Sequence, residues 1–464
     1  MLIKNITMVY QNTLKTLQRF PLPTIFSLLI CYFCLYCFDS SRFWLPHSVI
    51  QNFGKYCHIL LFGFLFFIVL KLFMEYRKES LNSVYFLGTT LFSTIAWYLY
   101  TRPTSIELIC TSGFLVTGLF FSLVATPCFY KPSFSLQSWN FIYKLCSHLC
   151  FSILSSSVLY LCLFFILKSI EQLFDFVFYD NLFVDIRCIT FTTIFHIVFM
   201  SGIPKKIDNL DHCELKYINT ILNYLIAPML LIYTVIIWVY LLKATFTYNL
   251  LKNRIILLTS IFGCLGIITY LLSYPIHHHQ SIIGAFGRHF FKLLPLHLLA
   301  FSVALGTRIY RYGITEPRYF CLLLLIWLIF STGVSLLRKA DEVPKYVLLS
   351  LPILLFTASL GPWRAVNIST ASQHHRLAII LEKNQILIAG KLQKPQQQLT
   401  LTDYRNISSI ITYLVNREKI DCLQPWLTPD QIAQIKQKAR RSREKMIMQA
   451  IGVEIPVDPK RAEG

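Results

Sequence analysis

Apolar runs recur along most of this chain and thin out only near its end. They lie near 23–38, 57–73, 84–100, 104–126, 146–168, 183–203, 219–242, 254–275, 289–312, 318–337 and 346–360. Each approaches the roughly 20 residues that a helix needs to cross the hydrocarbon core. The pattern predicts an all-α polytopic membrane protein with about 10–12 transmembrane helices. Several runs are short, so tilted or re-entrant segments are expected among them. Residues 1–21 are mildly amphipathic and basic through Lys4, Lys15 and Arg19, and read as an N-terminal cytoplasmic segment. The run after Pro23 imitates a signal peptide, but no small-x-small cleavage site follows it. It reads as an uncleaved first span.

The multi-span part covers 22–364, and a soluble basic tail covers 365–464. In the tail, a helix is expected over Ala365–Glu382 and a short strand over Ile386–Leu392. Thr402 and Asp403 open another helix, with Ile407, Ile410, Ile411, Leu414 and Val415 on one face. Thr428-Pro429-Asp430 marks a further helix start. The last helix carries Lys436, Lys438, Arg440, Arg441, Arg443 and Lys445, a basic face for anionic lipid or solvent.

Composition agrees with the pattern. Hydrophobic residues make up 55% and charged residues 14%, where a soluble chain carries about 25% charge. The net charge is +20. In a membrane protein such an excess marks cytoplasmic loops and contact with anionic lipid. Nucleic-acid binding is not expected, because the basic residues are scattered among apolar segments. The positive-inside rule leaves a conflict. Arg77 with Lys78, Lys131 with Lys144, and Lys205 with Lys206 are cytoplasmic when counted from the start. Arg308 with Arg311, and Lys243 with Lys252, are cytoplasmic when counted back from the tail. Both cannot hold with one crossing between Lys216 and Lys243. An even number of crossings, with both ends cytoplasmic, is the expectation.

Candidate chemistry is sparse. Cys31, Cys34 and Cys37 lie within an apolar run, where cysteine behaves as a small hydrophobe. Cys146, His148 and Cys150 alternate, so a helix would point them to different faces. His277, His278 and His279 read as a solvated loop, as do His374 and His375. Asp185, Arg187, His196, Asn219, Asn223 and His297 read as interface anchors or helix–helix glue. No phosphate-loop, hydrolase-elbow or zinc-protease motif is present. Neither a metal nor a cofactor is expected, and no catalytic residue is assigned.

The polar, geometrically special residues gather between Thr307 and Leu377. Gly313 can end a helix in the left-handed region, with Arg308 and Arg311 in its last turn. Thr315 or Glu316 can cap the next helix, with Pro317 in its first turn. One reading is a tight connector at the bilayer surface. The other is an arginine cluster for a phosphate or carboxylate head group, with Glu316 steering one arginine. Gly361-Pro362-Trp363-Arg364 then breaks the last apolar run, and Trp363 suits the interface. The candidate anionic head-group or ligand residues are Arg308, Arg311, Glu316, Arg318, Trp363, Arg364, Gln373 and Arg376.

Y-G-I-T-E-P-R-Y (312–319), G-P-W (361–363), S-Q-x-x-R-L (372–377), I-S-S-I-I-T-Y-L (407–414) and P-W-L (425–427) occur in that order. In these motifs the chain resembles the bacterial inner-membrane family catalogued as domain of unknown function 4153, over about Leu215 to Leu427. That family carries a small residue after G-P-W, where this chain has Arg364. The resemblance implies a multi-pass inner-membrane protein and carries no established activity. A transporter or a lipid- or envelope-handling protein is expected. A non-catalytic scaffold or regulator, its tail binding a cytosolic partner, is the alternative. So is a membrane enzyme acting on a lipid-linked substrate, with Glu316 as its acid.

Overall fold

A computed structural model describes residues 2–38, 52–77, 81–102, 106–175, 177–179, 181–205, 207, 216–246, 253–277, 281–393 and 399–453. The chain is an all-α polytopic membrane protein. Helix α1 (Leu2–Arg19) meets α2 (Pro21–Phe38) at a bend of 102° between Tyr10–Arg19 and Pro21–Cys37. Then come α3 (Phe53–Arg77), α4 (Leu81–Thr101), α5 (Ile106–Val124), the short α6 (Thr126–Tyr130) and the 39-residue α7 (Leu136–Phe174). Helices α8 (Leu182–Ser201) and α9 (Asn219–Lys243) each contain a π-helical turn, at Thr190–Ile194 and Leu222–Ile226. They are followed by α10 (Asn253–Leu272), α11 (Ile282–Tyr312), α12 (Glu316–Leu337) and α13 (Val343–Ser359).

Among the described residues, eight helices are long and apolar enough to cross a membrane, or nine if the bent α1–α2 pair is one span. The runs expected near 84–100 and 346–360 are also helical, as α4 and α13. Helix α4 falls outside that set, and α13 is apolar but has 17 residues.

Much apolar surface faces outward. Only 11% of an 18-residue apolar window of α7 is buried within the protein, so that stretch presents its apolar side chains outward. Phe86, Trp97, Phe165 and Tyr224 are likewise exposed, which water would penalise and hydrocarbon does not. The buried apolar residues of the bundle form two clusters. One draws on the first half of the chain, including Phe62, Leu115 and Phe141. The other draws on the second half, including Phe262, Phe290 and Leu328. Helix α13 supplies Leu348 to the first and Val347 to the second.

Buried polar groups tie the helices together. Arg19 donates to Glu75 and to the carbonyls of Ile203 and Pro204. Ser27 and His196 bond to each other and to the Thr192 carbonyl, which bridges α2 and α8. Asn223 accepts from the Ile283 N–H. His277 packs against Ser273 and the Tyr270 carbonyl, while His278 and His279 lie outside the described residues.

The helix path also fixes which ends meet. Arg19 pairs with Glu75 at the end of α3, at 2.7 Å. Lys55, at the start of α3, donates to the Tyr100 carbonyl at the end of α4. Beside it, Tyr98 meets Arg364, and Arg364 meets Glu107 together with Lys419 of the tail. Helix α1 therefore sits at the end of the bundle opposite the tail. Lys78, Lys206 and Lys252, which entered the positive-inside count, lie outside the described residues.

The tail follows a 3-10 turn at Gly361–Trp363. Helix α14 (Ala365–Lys383) leads to a hairpin of β1 (Leu387–Ile388) and β2 (Lys391–Leu392), paired antiparallel. The expected single strand is thus two short ones. Ala389 and Gly390 between them have positive φ, as a tight two-residue hairpin turn requires. Helix α15 (Leu401–Asn416) is capped by Thr400, whose side chain accepts from the Asp403 N–H. Thr428 and Gln431 form a capping box on α16 (Pro429–Gln437). The expected basic last helix is broken at Lys438, and α17 (Arg440–Ile451) carries its second part. Ile407, Ile410, Ile411, Leu414 and Val415 do share one face, in a tail core with Leu377, Leu381 and Ile447.

Candidate functional site

The connector between α11 and α12 folds as capping chemistry dictates. Gly313 has φ +67°, and its N–H donates to the Ile309 carbonyl. A Cβ there would stand 2.8 Å from Gln373 Nε2 and would push that side chain aside, but it is the positive φ that favours glycine. Thr315 holds an extended N-cap conformation but makes no side-chain cap bond. The connector lies against the polar face of α14. Ser372 Oγ accepts from the Ile314 N–H at 2.8 Å. Gln373 Nε2 donates to the carbonyls of Tyr312 and Ile314, at 3.0 and 2.9 Å. Arg318 donates to the carbonyls of Tyr312 and Gly313, and Arg376 to that of Tyr312 and to Asn406 Oδ1. The Y-G-I-T-E-P-R and S-Q-x-x-R motifs are therefore each other's partners.

Arg308, Arg318 and Arg376 converge on the ring of Tyr312, at 5.8, 5.5 and 5.8 Å from its centroid. Among the described residues, none of the three has a carboxylate within ion-pair distance. Arg308 makes no hydrogen bond among them and keeps all its donors. Burial holds the Arg376 guanidinium below its usual range. Arg311 is exposed and is not among the guanidiniums over the Tyr312 ring.

Glu316 does not steer that cluster. It is 3% exposed and turns to the tail. Its Oε1 accepts from Arg417 Nε at 2.6 Å and from the Tyr413 hydroxyl at 3.0 Å. Its Oε2 is buried without a hydrogen-bond partner. The hydrogen bond to Glu316 raises the Arg417 guanidinium. Burial, and then the adjacent carboxylate, push the Tyr413 phenol up.

Trp363 and Arg364 also part from the cluster. The Trp363 ring is 67% exposed, and its carbonyl accepts from Tyr319 at 2.5 Å. Arg364 reaches Glu107 Oε1 at 2.5 Å and the Tyr98 hydroxyl at 2.7 Å. Lys419 Nζ lies 2.6 Å from Glu107 Oε2. With Arg102, these groups line a polar pocket of about 100 Å³.

Of the eight candidates, Arg308, Arg318, Gln373 and Arg376 thus come together, Glu316 and Arg364 join two separate ion clusters, and Arg311 and Trp363 face outward. Glu107, Tyr413, Arg417 and Lys419 were not anticipated. Glu107 did carry a signal, as a lone carboxylate opening an apolar run. Both Glu107 and Glu316 stand in the first turn of a helix, where the macrodipole favours negative charge.

A family model described as domain of unknown function (DUF4153) matches residues 56–389. The chain belongs to this family. The DUF4153 match starts well before Leu215, so most of the first half of the bundle is included. It ends before I-S-S-I-I-T-Y-L and P-W-L, so those two motifs fall outside it. An uncharacterised protein of Pasteurella multocida is 26% identical over 279 residues, which span 56% of this chain and 44% of that protein. The match thus covers less than half of that relative's length. No solved structure matches.

Proposed function

We propose that this DUF4153 protein holds an anionic lipid or envelope amphiphile at the tail-side face of the bilayer, as part of lipid or envelope-component handling. The supporting observation is the group of Arg308, Arg318 and Arg376 about Tyr312, with no carboxylate partner among the described residues. Three guanidiniums at a bilayer surface suit a phosphate, which takes several charge-assisted hydrogen bonds. The bilayer in this reading is the bacterial inner membrane, with the basic tail in the cytoplasm. Helix α1 then lies on the periplasmic face.

The test is native mass spectrometry of the detergent-purified protein beside Arg308→Ala. This variant removes no backbone hydrogen bond. The expected outcome is that the variant carries one stoichiometric anionic-lipid adduct fewer than the wild type, its affinity for that lipid falling at least about 10-fold (about 1.4 kcal/mol). An equal adduct in both, or none in either, would overturn the reading.

A second reading, of a scaffold or regulator, is favoured by the tail's grip on the bundle. Arg417 and Lys419 hold Glu316 and Glu107, so tail and membrane part communicate through two ion pairs. A cytosolic partner on the tail would act through this contact.

A further inference from the structure

A second feature of the bundle uses none of Arg308, Arg318 or Arg376. Helices α3, α4, α5 and α13 enclose a cavity of about 380 Å³ with an almost wholly apolar lining that includes Phe62, Ile95, Leu119 and Phe356. The volume falls in the range of small-molecule sites, roughly 300–1,000 Å³. Leu91 and Phe129, each 53% exposed, stand at its mouth toward the outer surface of the bundle. An apolar cavity does not hold water well, and leaving it empty forfeits dispersion contacts. In a bilayer the neighbouring material is hydrocarbon.

The cavity and the polar pocket around Glu107 lie end to end on three shared elements. On α4, Ile95 lines the cavity and Tyr98 the pocket. On α5, Leu115 lines the cavity and Thr111 the pocket. After α13, Leu360 lines the cavity and Arg364 the pocket. The steps on α4 and α5 are three and four residues, about 5–6 Å along a helix, and the third crosses the 3-10 turn at Gly361–Trp363. From Thr111 to Ser122, the far lining residue on α5, the helix covers about 16 Å. One leaflet's hydrocarbon is about 15 Å deep. At the charged end, Arg102, Arg364 and Lys419 face the single carboxylate Glu107, a formal excess of two positive charges. Arg364 and Lys419 already share the two Glu107 oxygens, while Arg102 makes no ion pair among the described residues and lies over the Tyr98 ring.

We infer that α4, α5 and α13 form a binding site for one anionic phospholipid, with an acyl chain in the cavity and the head-group phosphate at Arg102, Arg364 and Lys419. The chain supplies affinity through buried apolar area. The excess cations select negative charge and face the tail, where Lys419 couples occupancy to tail docking. The site stands independently of the Tyr312 cluster.

The experiment uses the full chain, delipidated in detergent and titrated with phosphatidylglycerol or phosphatidylcholine of identical chains, read by native mass spectrometry. Leu119→Trp fills the cavity and is expected to remove one bound lipid of either kind, leaving a lipid at the Tyr312 cluster in place. In the Arg308→Ala background, Arg364→Gln is expected to abolish the preference for phosphatidylglycerol while phosphatidylcholine binding is retained. Inorganic phosphate is expected not to displace the lipid; displacement would assign the pocket to free phosphate and overturn the chain's part. Unchanged binding by Leu119→Trp would overturn the inference.

A photoreactive acyl chain on phosphatidylglycerol, added to the wild type, gives a readout that no variant's folding can disturb. Labelling concentrated on α4 and α5 supports the site, and labelling spread evenly over the outward face of α7 overturns it. Arg308→Ala is expected to leave this site's lipid in place. Loss in Arg308→Ala with retention in Leu119→Trp would sink this inference and leave the Tyr312 reading standing, and the reverse pattern would do the opposite.

Discussion

At the scale of single residues, the decisive groups are two carboxylates. Glu316 is buried at the start of α12, and its ion pair with Arg417 is mostly shielded, with side-chain exposures of 4% and 21%. Removing one partner of a buried pair costs about 3–5 kcal/mol, because the other charge is left desolvated. Arg417 keeps some access to water, so the lower end applies. Glu316→Ala is expected to loosen the tail, seen as faster tryptic cleavage within α15–α17 of the full-length protein. Glu316→Leu combined with Arg417→Met is expected to regain much of the protection, since apolar replacement of both partners avoids the uncompensated charge. Equal cleavage of Glu316→Ala and wild type would show that the pair contributes nothing to docking.

The same scale explains what was legible beforehand. Gly313, Pro317 and Arg318 announce a turn through local backbone chemistry, and the turn is there. Glu316 also announces a helix start, but its electrostatic partner is not local. The nearest arginines in sequence, Arg311 and Arg318, are not the ones it binds.

At the scale of elements, the tail helices should respond to acid. Asp403 sits in the first turn of α15. Burial opposes its charge, but hydrogen bonds from Lys383, the Thr400 hydroxyl and Asn384 outweigh it and hold the carboxyl below its usual value. The unfolded chain then binds the proton first, so this contribution is present above about pH 3.9. It is lost as the pH falls below that value toward the folded-state pKa. His374 stacks on Trp426 at 4.5 Å, and burial, with the neighbouring His375, lowers its pKa. Protonation again favours the unfolded form, so stability declines as the pH drops below about 6.5. Hydrogen-exchange protection of α14 and α15 in the intact protein, corrected for the intrinsic exchange rate at each pH, is expected to fall between pH 7 and 5, and less so in His374→Phe. An identical pH response in that variant would remove His374 from the account.

Element boundaries were legible where a local signal exists. The capping box at Thr428 and the apolar face of α15 both follow from spacing alone. The strand expected over Ile386–Leu392 is two pieces, because a two-residue turn at Ala389–Gly390 interrupts the apolar-looking run. The final basic stretch was misjudged as one helix because Lys438 has ordinary helix propensity. It nevertheless adopts an extended conformation, so that α17 can turn back onto the tail core.

At the scale of the whole molecule, the tail bridges the two halves of the bundle. Lys419 holds Glu107 on α5, in the first half, and Arg417 holds Glu316 on α12, in the second. The path from Arg19 through Glu75, Lys55 and Tyr100 to Glu107 puts α1 at the far end from this bridge. Single cysteines placed at Gln11 and at Gln434, in a background without accessible native thiols, are expected to react with a membrane-impermeant maleimide from opposite sides of the membrane. Labelling of both from one side would overturn that arrangement.

Hydropathy by itself determined that this is a membrane protein, roughly where its apolar helices run and where the less apolar C-terminal helices begin. Those properties depend on residues within a few turns of one another, so the order of the chain contains them. Only the tertiary structure decided the charge partners. Glu316 meets Arg417 across 101 positions, and Glu107 meets Lys419 across 312. The apolar cavity and the cations at its end come from helices that are far apart in sequence. A charge buried in low dielectric must find its opposite wherever the fold brings one, and no local periodicity records that choice.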